Sequence, residues 1–222
     1  MKVTINAAMT ADGKIATKIR DSKISSEQDL KRVHKLRSSV DAIIVGISTV
    51  LADDPRLTVR LTKNKGKDPV RIIVDSTGRI PLNSRILQTA SKIKTIVAVT
   101  KRASNSNIQK IKNSGAMVII LGTSSVELKK LFSILEKKGY KKILVEGGGE
   151  LNWSLLHLGI VNEVIITVAP MIVGGRTATT LVEGGGYDKI SEGIKMELRN
   201  ILRQNNNELV LHYKLLQKNI IH

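Results

Sequence analysis

The chain of 222 residues is long enough for one domain of ordinary size or for two small ones. Its hydrophobic fraction of 41% is typical of a globular protein, and no apolar run approaches the roughly 18 residues that a membrane span needs. It has no cysteines, which excludes disulfides, thiolate metal sites and cysteine nucleophiles. The first residues, MKVTINAAMTADG, lack the apolar core of a signal peptide, so a cytoplasmic location is expected.

The formal net charge of +17 at pH 7 is the most unusual compositional feature. It is compatible with a nucleic-acid partner, with an enzyme that attracts phosphorylated small molecules, or with a lysine-rich solvated surface. The basic residues are spread along the chain, and only one Trp, three Tyr and one Phe are available to stack on bases. The composition therefore argues against nucleic-acid binding and leaves the other two explanations open.

Apolar runs rich in β-branched residues recur along the chain and predict buried strands. Helical patterns alternate with several of them, which predicts an α/β protein with a mainly parallel sheet. Two later strands, joined across a run of three Asn, predict that the sheet finishes antiparallel. No linker-like stretch divides residues 1–222, so a single domain is expected. The predicted strands span residues 3–9, 41–46, 70–75, 95–100, 116–122, 142–147, 163–173, 195–203 and 208–216.

Four helices are predicted between these strands. The first spans residues 25–40 and starts with Ser25 and Gln28 as a capping box. A weaker helix covers 105–112, and another opens at Ser124 and closes at Gly139. A short helix follows the glycines at 147–149 in the sequence ELNWSLLHLG.

The hexapeptide LVEGGG occurs at residues 144–149 and again at 181–186. The first copy joins a predicted strand to a predicted helix, which is where ligands bind in α/β sheets. Its glycine N–H groups and the helix amino terminus suit a phosphate, although a tight turn for close helix packing is an alternative explanation. The second copy has different flanks, so it is not a repeat of the first, and it is predicted to be a flexible loop.

A second candidate site lies in residues 41–60, where a buried strand leads to Gly46 and then to the paired acids Asp53 and Asp54. Arg56 and Arg60 follow closely. A carboxylate beside guanidinium groups suits a sugar hydroxyl next to a phosphate, and a solvated charged loop is the alternative.

Several familiar sites are absent from the sequence. The four histidines lack metal-ligand spacing, so no metal site is expected. The sequence contains neither a G-x-G-x-x-G nor a G-x-x-x-x-G-K-[ST] motif, and it has no G-x-S-x-G turn for a serine hydrolase.

Several blocks, in the same order along the chain, closely resemble the riboflavin-pathway reductases of the dihydrofolate-reductase-like fold, and most of all their stand-alone archaeal and fungal type. The blocks are NAAMTADGKIA, DSKISSEQDLKRVHKLRSSVDAIIVGISTVLADDPRLTVR, PVRIIVDSTGRIPLNSRIL, ILVEGGGELNWSLL and VAPMIVGG. Bacterial relatives are usually fused to a zinc deaminase, and a chain without cysteine cannot form that H-x-E…P-C-x-x-C site. The resemblance runs from about residue 3 to the end.

The resemblance implies that NADPH, or NADH, reduces the ribosyl group of 2,5-diamino-6-ribosylamino-4(3H)-pyrimidinone 5′-phosphate to a ribityl chain. The sugar opens to an imine whose C1′ accepts hydride. An alternative enzyme would act on the deaminated pyrimidine, and a basic nucleic-acid-binding protein is the alternative from another class. The resemblance also implies a homodimer, with no nucleic-acid or membrane partner.

The resemblance assigns roles to residues at matching positions. Asp53 is expected to position the open-chain sugar, and Glu146 is expected to hydrogen-bond the pyrimidine, which makes both candidate catalytic residues. The remaining substrate positions are Asn6, Ser22, Ser25, Arg37 and Arg60. The cofactor positions are Gly46, Thr49, Asp53, Ser76, Thr77, Gly78, Arg79, Gly147, Gly148, Gly149 and Glu150, and Arg79 with Ser76 would favour the 2′-phosphate of NADPH.

Overall fold

The structure is a computed structural model, which describes residues 1–62 and 67–216. These residues form two compact units. The first contains Met1 and Leu30–Glu146, and the second contains Lys2–Asp29 and the described part of Gly147–His222. The prediction of a single domain over 1–222 remains a prediction.

The first unit is built on five parallel strands in the order β5-β4-β3-β2-β6. Its strands are almost continuous runs of Val, Ile and Leu because helices alternate with them along the chain and both faces are covered. The strands are β2 (Ala42–Gly46), β3 (Val70–Val74), β4 (Thr95–Val99), β5 (Met117–Ile120) and β6 (Lys142–Val145). The helices are α2 (Ile47–Asp53), α3 (Arg85–Gln88), α4 (Asn105–Asn113) and α5 (Leu128–Lys137).

The core of the first unit lies between this sheet and its helices. Ile43, Val45 and Leu144 from the strands are completely buried, as are Ile86 of α3 and Val97 of β4. Burial of such side chains stabilises the fold by roughly 1.5–3 kcal/mol each. The packed core holds the carboxyl ends of β2, β3, β4 and β6 at one edge of the sheet.

The second unit contains four strands in the order β1-β7-β9-β8. β1 (Lys2–Thr10) is parallel to β7 (Glu163–Ala169), whereas β9 (Leu209–Leu215) and β8 (Met196–Arg203) run antiparallel. The unit also contains α6 (Gly149–His157) and a 3-10 turn at Ile190–Glu192. These strands confirm the predicted α/β class, with mainly parallel strands and an antiparallel C-terminal end.

Helix α1 (Glu27–Arg37) starts later than predicted, and its cap is Ser26 instead of Ser25. The Ser26 hydroxyl accepts the backbone N–H of Asp29 at 3.2 Å. Glu208 fixes Ser26 in place, since one carboxylate oxygen accepts the Ser26 N–H at 3.0 Å and the other accepts its hydroxyl at 2.7 Å. The predicted box of Ser25 and Gln28 is therefore wrong by one residue.

Three other boundaries differ from the prediction. No helix is predicted at the positions of α2 and α3, because seven and four residues are too few to show helical periodicity. Helix α5 begins at Leu128 instead of Ser124, and no side chain caps it. Strand β7 ends at Ala169 instead of residue 173, and the segment after it is held by Asp12, which accepts the N–H groups of Val173 and Gly174.

Candidate functional site

The carboxyl edge of the sheet in the first unit brings several predicted site residues together. Gly46 ends β2, and its neighbour strand β6 leads directly to Glu146, whose N–H donates to the Ile44 carbonyl at 3.0 Å. Ser76 follows β3 at the same edge, and its carbonyl accepts the N–H and the hydroxyl of Thr100 after β4. This is the edge at which ligands bind in parallel α/β sheets.

Glu146 forms a bidentate pair with Arg37. Arg37 Nε donates to Glu146 Oε1 at 2.7 Å, and Nη2 donates to Oε2 at 2.6 Å. The two side chains are only 13% and 10% exposed. Burial lowers the pKa of Arg37, but the charge and hydrogen bonds of Glu146 raise it by more, so the net pKa is above its usual value. A bidentate pair of this kind fixes the carboxylate in one orientation.

Thr58 connects this pair to Arg60. Its carbonyl accepts Arg37 Nη1 at 3.2 Å, and its hydroxyl accepts Arg60 Nη1 at 2.7 Å. The Arg60 backbone N–H donates to Nδ1 of His34 at 2.9 Å, which fixes the backbone beside the arginine. Burial lowers the pKa of His34 to about 4, and the charges of Arg37 and Arg60 lower it as well. The charge of Glu146 has a smaller opposing effect. His34 is therefore neutral at physiological pH and acts as an acceptor.

The predicted nucleotide segment after β3 is a tight turn fixed by Asp75. The Asp75 carboxylate accepts the N–H of Ile80 at 2.8 Å, and Gly78 has a φ of +65°, which favours glycine. Ser76 and Thr77 are half-buried in this turn, whereas Arg79 is exposed. Arg79 lines a cavity of about 170 Å³ with Asn107 and Lys110 of α4. The sequence prediction missed Lys110, a second cation beside Arg79.

Helix α2 carries two further predicted residues of the first unit. Thr49 is half-buried on this helix, and Asp53 is its last residue and exposed. The next residue, Asp54, ends the helix with a φ of +40° and accepts the N–H of Arg85 at 2.8 Å.

The second unit holds the other predicted substrate residues. Asn6 is buried on β1 beside Ile165 of β7, and Ser22 and Ser25 are half-buried in the loop before α1. Asp12 orders the neighbouring turn by accepting hydrogen bonds from the Thr10 hydroxyl and from the N–H groups of Val173 and Gly174. The same hydrogen bonds lower the pKa of Asp12 to about 2. Arg37, Asp53, Arg60 and Glu146 therefore lie in the first unit, and Asn6, Ser22 and Ser25 lie in the second.

The glycines of the first LVEGGG copy form the junction that the sequence predicts. Gly147 has a φ of 105° and Gly148 has a φ of 60° with a ψ of 150°, a combination that is essentially restricted to glycine. Helix α6 begins at Gly149, and Glu150 is exposed in its first turn. The N–H groups of the first helical residues have no partner within the helix, so the junction fits the phosphates of a dinucleotide.

The second LVEGGG copy is a loop, as predicted, and it packs against the first copy. The Glu183 N–H donates to the Gly149 carbonyl at 3.2 Å, and the Asn152 side chain donates to the Leu181 carbonyl at 2.8 Å. A Cβ on Gly149 would lie 2.7 Å from Glu183 Cγ and from the Thr180 carbonyl oxygen. No local sequence pattern predicts this contact, because it depends on the fold of distant residues.

Within the described residues, no helix is long and apolar enough to cross a bilayer. The same part of the chain contains no group of three or more His, Asp or Glu side chains that could hold a metal ion. The absence of a metal site remains a prediction.

The chain shows clear similarity to known proteins. The profile of the RibD C-terminal domain matches residues 1–210. A 2,5-diamino-6-ribosylamino-4(3H)-pyrimidinone 5′-phosphate reductase of Methanothermobacter thermautotrophicus is 47% identical over 198 residues, which cover 89% of this chain and 90% of that protein. Two further relatives carry the same name.

Solved structures agree with this similarity. Acinetobacter baumannii RibD superimposes with a TM-score of 0.84 at 26% identity, covering 97% of this chain and 58% of the longer RibD chain. Dihydrofolate reductase of Enterococcus faecalis, complexed with NADP(H), has a TM-score of 0.55 at 14% identity over 97% of both chains, which shows a shared fold alone. The dihydrofolate-reductase-like fold that the sequence predicts is thus confirmed, and the chain belongs to the RibD C-terminal domain family.

Proposed function

We propose that this protein is an oxidoreductase of riboflavin biosynthesis. It reduces the ribosyl group of 2,5-diamino-6-ribosylamino-4(3H)-pyrimidinone 5′-phosphate to a ribityl chain. The similarity to reductases of that name carries the proposal. The buried pair of Arg37 and Glu146, at the carboxyl edge of a parallel sheet, supports it with a fixed hydrogen-bonding carboxylate.

A nicotinamide cofactor supplies the hydride that adds to C1′ of the open-chain imine. The residues of this chain bind and orient the reactants. The Gly147–Gly149 junction and the Ser76–Arg79 turn bind the dinucleotide, together with Gly46, Thr49 and Glu150. Arg79 and Lys110 favour the 2′-phosphate of NADPH over NADH, because both cations border one small cavity.

Glu146 accepts hydrogen bonds from the pyrimidine, and Arg37 holds it in that orientation. The Arg37 guanidinium has five N–H groups. The described hydrogen bonds use one hydrogen on Nε, one on Nη1 and one on Nη2. Arg37 therefore keeps one hydrogen on each terminal nitrogen for the ribose phosphate, which Arg60, Ser22 and Ser25 also contact. Asp53 positions the open sugar chain, and Asn6 contacts the substrate.

The decisive test is NADPH oxidation by the purified protein with and without the ribosylaminopyrimidine phosphate. We expect turnover only with this substrate, and a lower kcat/KM for its deaminated counterpart. A faster reaction with the deaminated compound would replace the proposed substrate. Full activity of both Asp53→Ala and Glu146→Ala would overturn the proposed roles of these residues.

Arg79→Gln tests the cofactor preference. We expect it to lower kcat/KM for NADPH on the order of tenfold and to leave NADH unchanged, because NADH lacks the 2′-phosphate. Equal losses with both cofactors would contradict the assignment.

We also propose that the protein is a cytoplasmic homodimer without a nucleic-acid partner. Strand β8 supports an interface, since Leu198, Ile201 and Leu202 are 45%, 55% and 50% exposed. Light scattering checks the mass in solution. Tight, steeply salt-dependent RNA binding at physiological salt would contradict the absence of a nucleic-acid partner.

A further inference from the structure

The first unit contains a cavity of about 370 Å³ that borders Arg60 but otherwise uses residues without an assigned role. Three arginines are among the residues that line it: Arg56, Arg60 and Arg85. Asp68 is the single carboxylate in its lining among the described residues, and one of its oxygens already accepts the Val59 N–H at 2.7 Å. The walls are therefore strongly cationic.

The charges around this cavity repel one another. Burial lowers the pKa of Arg60, and the charges of Arg37, Arg56 and Arg85 lower it further, with only Asp68 opposing them. Arg85 has a second carboxylate within reach, since its Nε lies 3.5 Å from Asp54, but both side chains of that pair are about half exposed. Such a pair is worth little in water, so the repulsion is only partly compensated.

Behind the cavity wall lies the fully buried Arg71. Its Nη1 donates to the Thr89 hydroxyl at 2.7 Å and to the Arg56 carbonyl at 3.4 Å, and both of these residues line the cavity. Its other hydrogen bonds go to Thr95 and to two main-chain carbonyls. Burial lowers the pKa of Arg71 to about 10. Among the described residues, Arg71 has no hydrogen bond to a carboxylate, and the charge of Asp68 only partly opposes the effect of burial on its pKa.

We propose that this cavity binds the phosphate group of a small phosphorylated metabolite. Arginine is suited to phosphate because its planar fork donates two parallel hydrogen bonds, and the volume is in the range of small-molecule sites. Arg56 and Arg85 bind the phosphate directly, and Arg71 adds a fixed positive field from behind the wall. The phosphate belongs to a second metabolite, because the ribose phosphate of the substrate is already assigned to Arg37, Ser22 and Ser25, which do not line this cavity. Its source rests on the proposed function, whereas the binding itself does not.

Calorimetric titration of the free enzyme with inorganic phosphate at low ionic strength tests the site, since salt weakens such binding. We expect Arg85→Gln and Arg56→Gln each to weaken phosphate binding on the order of tenfold, as expected for loss of a charge-assisted pair of hydrogen bonds. The matched control is Arg199→Gln, because Arg199 is exposed and paired with Glu197 at 2.8 Å on β8. It should bind phosphate like the wild type.

A second pair of variants keeps the test independent of the arginines. Gln88→Glu places a negative charge in the lining of the cavity, and Gln109→Glu makes the same change on the exposed face of α4. Only Gln88→Glu should weaken phosphate binding. Wild-type affinity in Arg85→Gln and Arg56→Gln, or equal losses in Gln88→Glu and Gln109→Glu, would overturn the proposal.

Competition identifies the source of the phosphate. If saturating substrate abolishes the phosphate heat, the heat comes from the residues that bind the ribose phosphate, and the proposal is overturned. If the heat of phosphate binding persists in the presence of substrate, the cavity binds the phosphate of a second metabolite. A protein that binds phosphate in this pattern but does not oxidise NADPH would refute the proposed function and leave the phosphate site intact.

Discussion

The two LVEGGG segments have the same sequence and different structures. In the first, Leu144 and Val145 lie in a strand, and Gly149 begins helix α6. In the second, the same letters form a loop from Leu181 to Gly186 without strand or helix. The flanks explain the difference, because only the first copy follows a hydrophobic strand and precedes a helical sequence. Six residues are too few to determine a structure against their neighbours.

The roles of the two segments are complementary. The first copy supplies the glycine junction and the paired Glu146, whereas the second supports the helix that the first begins. Gly184 lies directly on the ring of Trp153, which stacks on His157 with ring centroids 5.1 Å apart. The loop therefore behaves as a packed part of the second unit, and equivalent substitutions in the two copies should have different effects.

The glutamates of the two copies give the largest expected difference. Glu146→Gln leaves the buried Arg37 without a full negative partner, so we expect a loss of about 3 kcal/mol in the free energy of unfolding. Within the described part of the chain, the Glu183 carboxylate accepts a single hydrogen bond, of 3.4 Å from the Thr180 N–H, so Glu183→Gln should cost less than about 1 kcal/mol. Urea unfolding of both variants measures the two losses in free energy. Equal losses would show that the two glutamates do not differ in their contribution to stability.

Adjacent glycines within the second copy give a matched pair. A Cβ on Gly184 would overlap the Trp153 ring, and its φ of +86° is unfavourable for alanine, so Gly184→Ala should lose about 2 to 3 kcal/mol. A Cβ on Gly185 would lie in open space, so Gly185→Ala should change the free energy of unfolding by less than about 0.5 kcal/mol. The midpoints of urea unfolding report both values. A tolerated Gly184→Ala would show that the loop does not pack as described.

Gly148 tests the backbone of the first copy. Its φ and ψ disfavour any residue with a Cβ, so Gly148→Ala should cost about 2 kcal/mol. We also expect NADPH binding, followed by the fluorescence of the nucleotide, to weaken at least tenfold, because the N–H groups of the junction move. Gly185→Ala is the control and should bind NADPH like the wild type.

The pH dependence of stability distinguishes the glutamates in a further way. The pKa of His34 falls to about 4 on folding from its ordinary 6.5. Between these values the unfolded chain binds more protons than the folded one, so stability decreases as the pH falls. We expect His34 to contribute a loss of about 1 to 2 kcal/mol between pH 7 and pH 5. Chemical unfolding at several pH values measures it, and His34→Asn should remove it.

The two copies should affect this profile differently. The charge of Glu146 raises the pKa of His34, so Glu146→Gln should lower that pKa further and extend the loss of stability to lower pH. Glu183→Gln should leave the profile unchanged. A change in the pH dependence of stability with Glu183→Gln would contradict the different roles of the two segments.

The sequence was sufficient for the strands and for the glycine junction. Strands such as Ala42–Gly46 are continuous β-branched runs, and Gly147 and Gly148 have positive φ values that favour glycine. The resemblance correctly identified the family and the fold. Local patterns of this kind are visible because each depends on neighbouring residues alone.

The remaining features depend on distant residues. Ser25 and Ser26 are equally good caps by sequence, and Glu208 selects Ser26. The pairing of Arg37 with Glu146 joins residues 109 positions apart, and no local pattern predicts it. No sequence pattern predicts the burial of Arg71, whose guanidinium donates to the hydroxyls of Thr89 and Thr95 and to three main-chain carbonyls. The proposed substrate and cofactor roles of individual residues stay predictions.

The clamp between Ser26 and Glu208 has a consequence for how the enzyme is made. Its two partners are 182 positions apart, so the segment that carries Ser22 and Ser25 is not held by this contact until Glu208 has left the ribosome. Contacts of such long range form late in folding, because a large loop must close first. A nascent chain that has not yet reached Glu208 therefore lacks the contact that holds the start of α1.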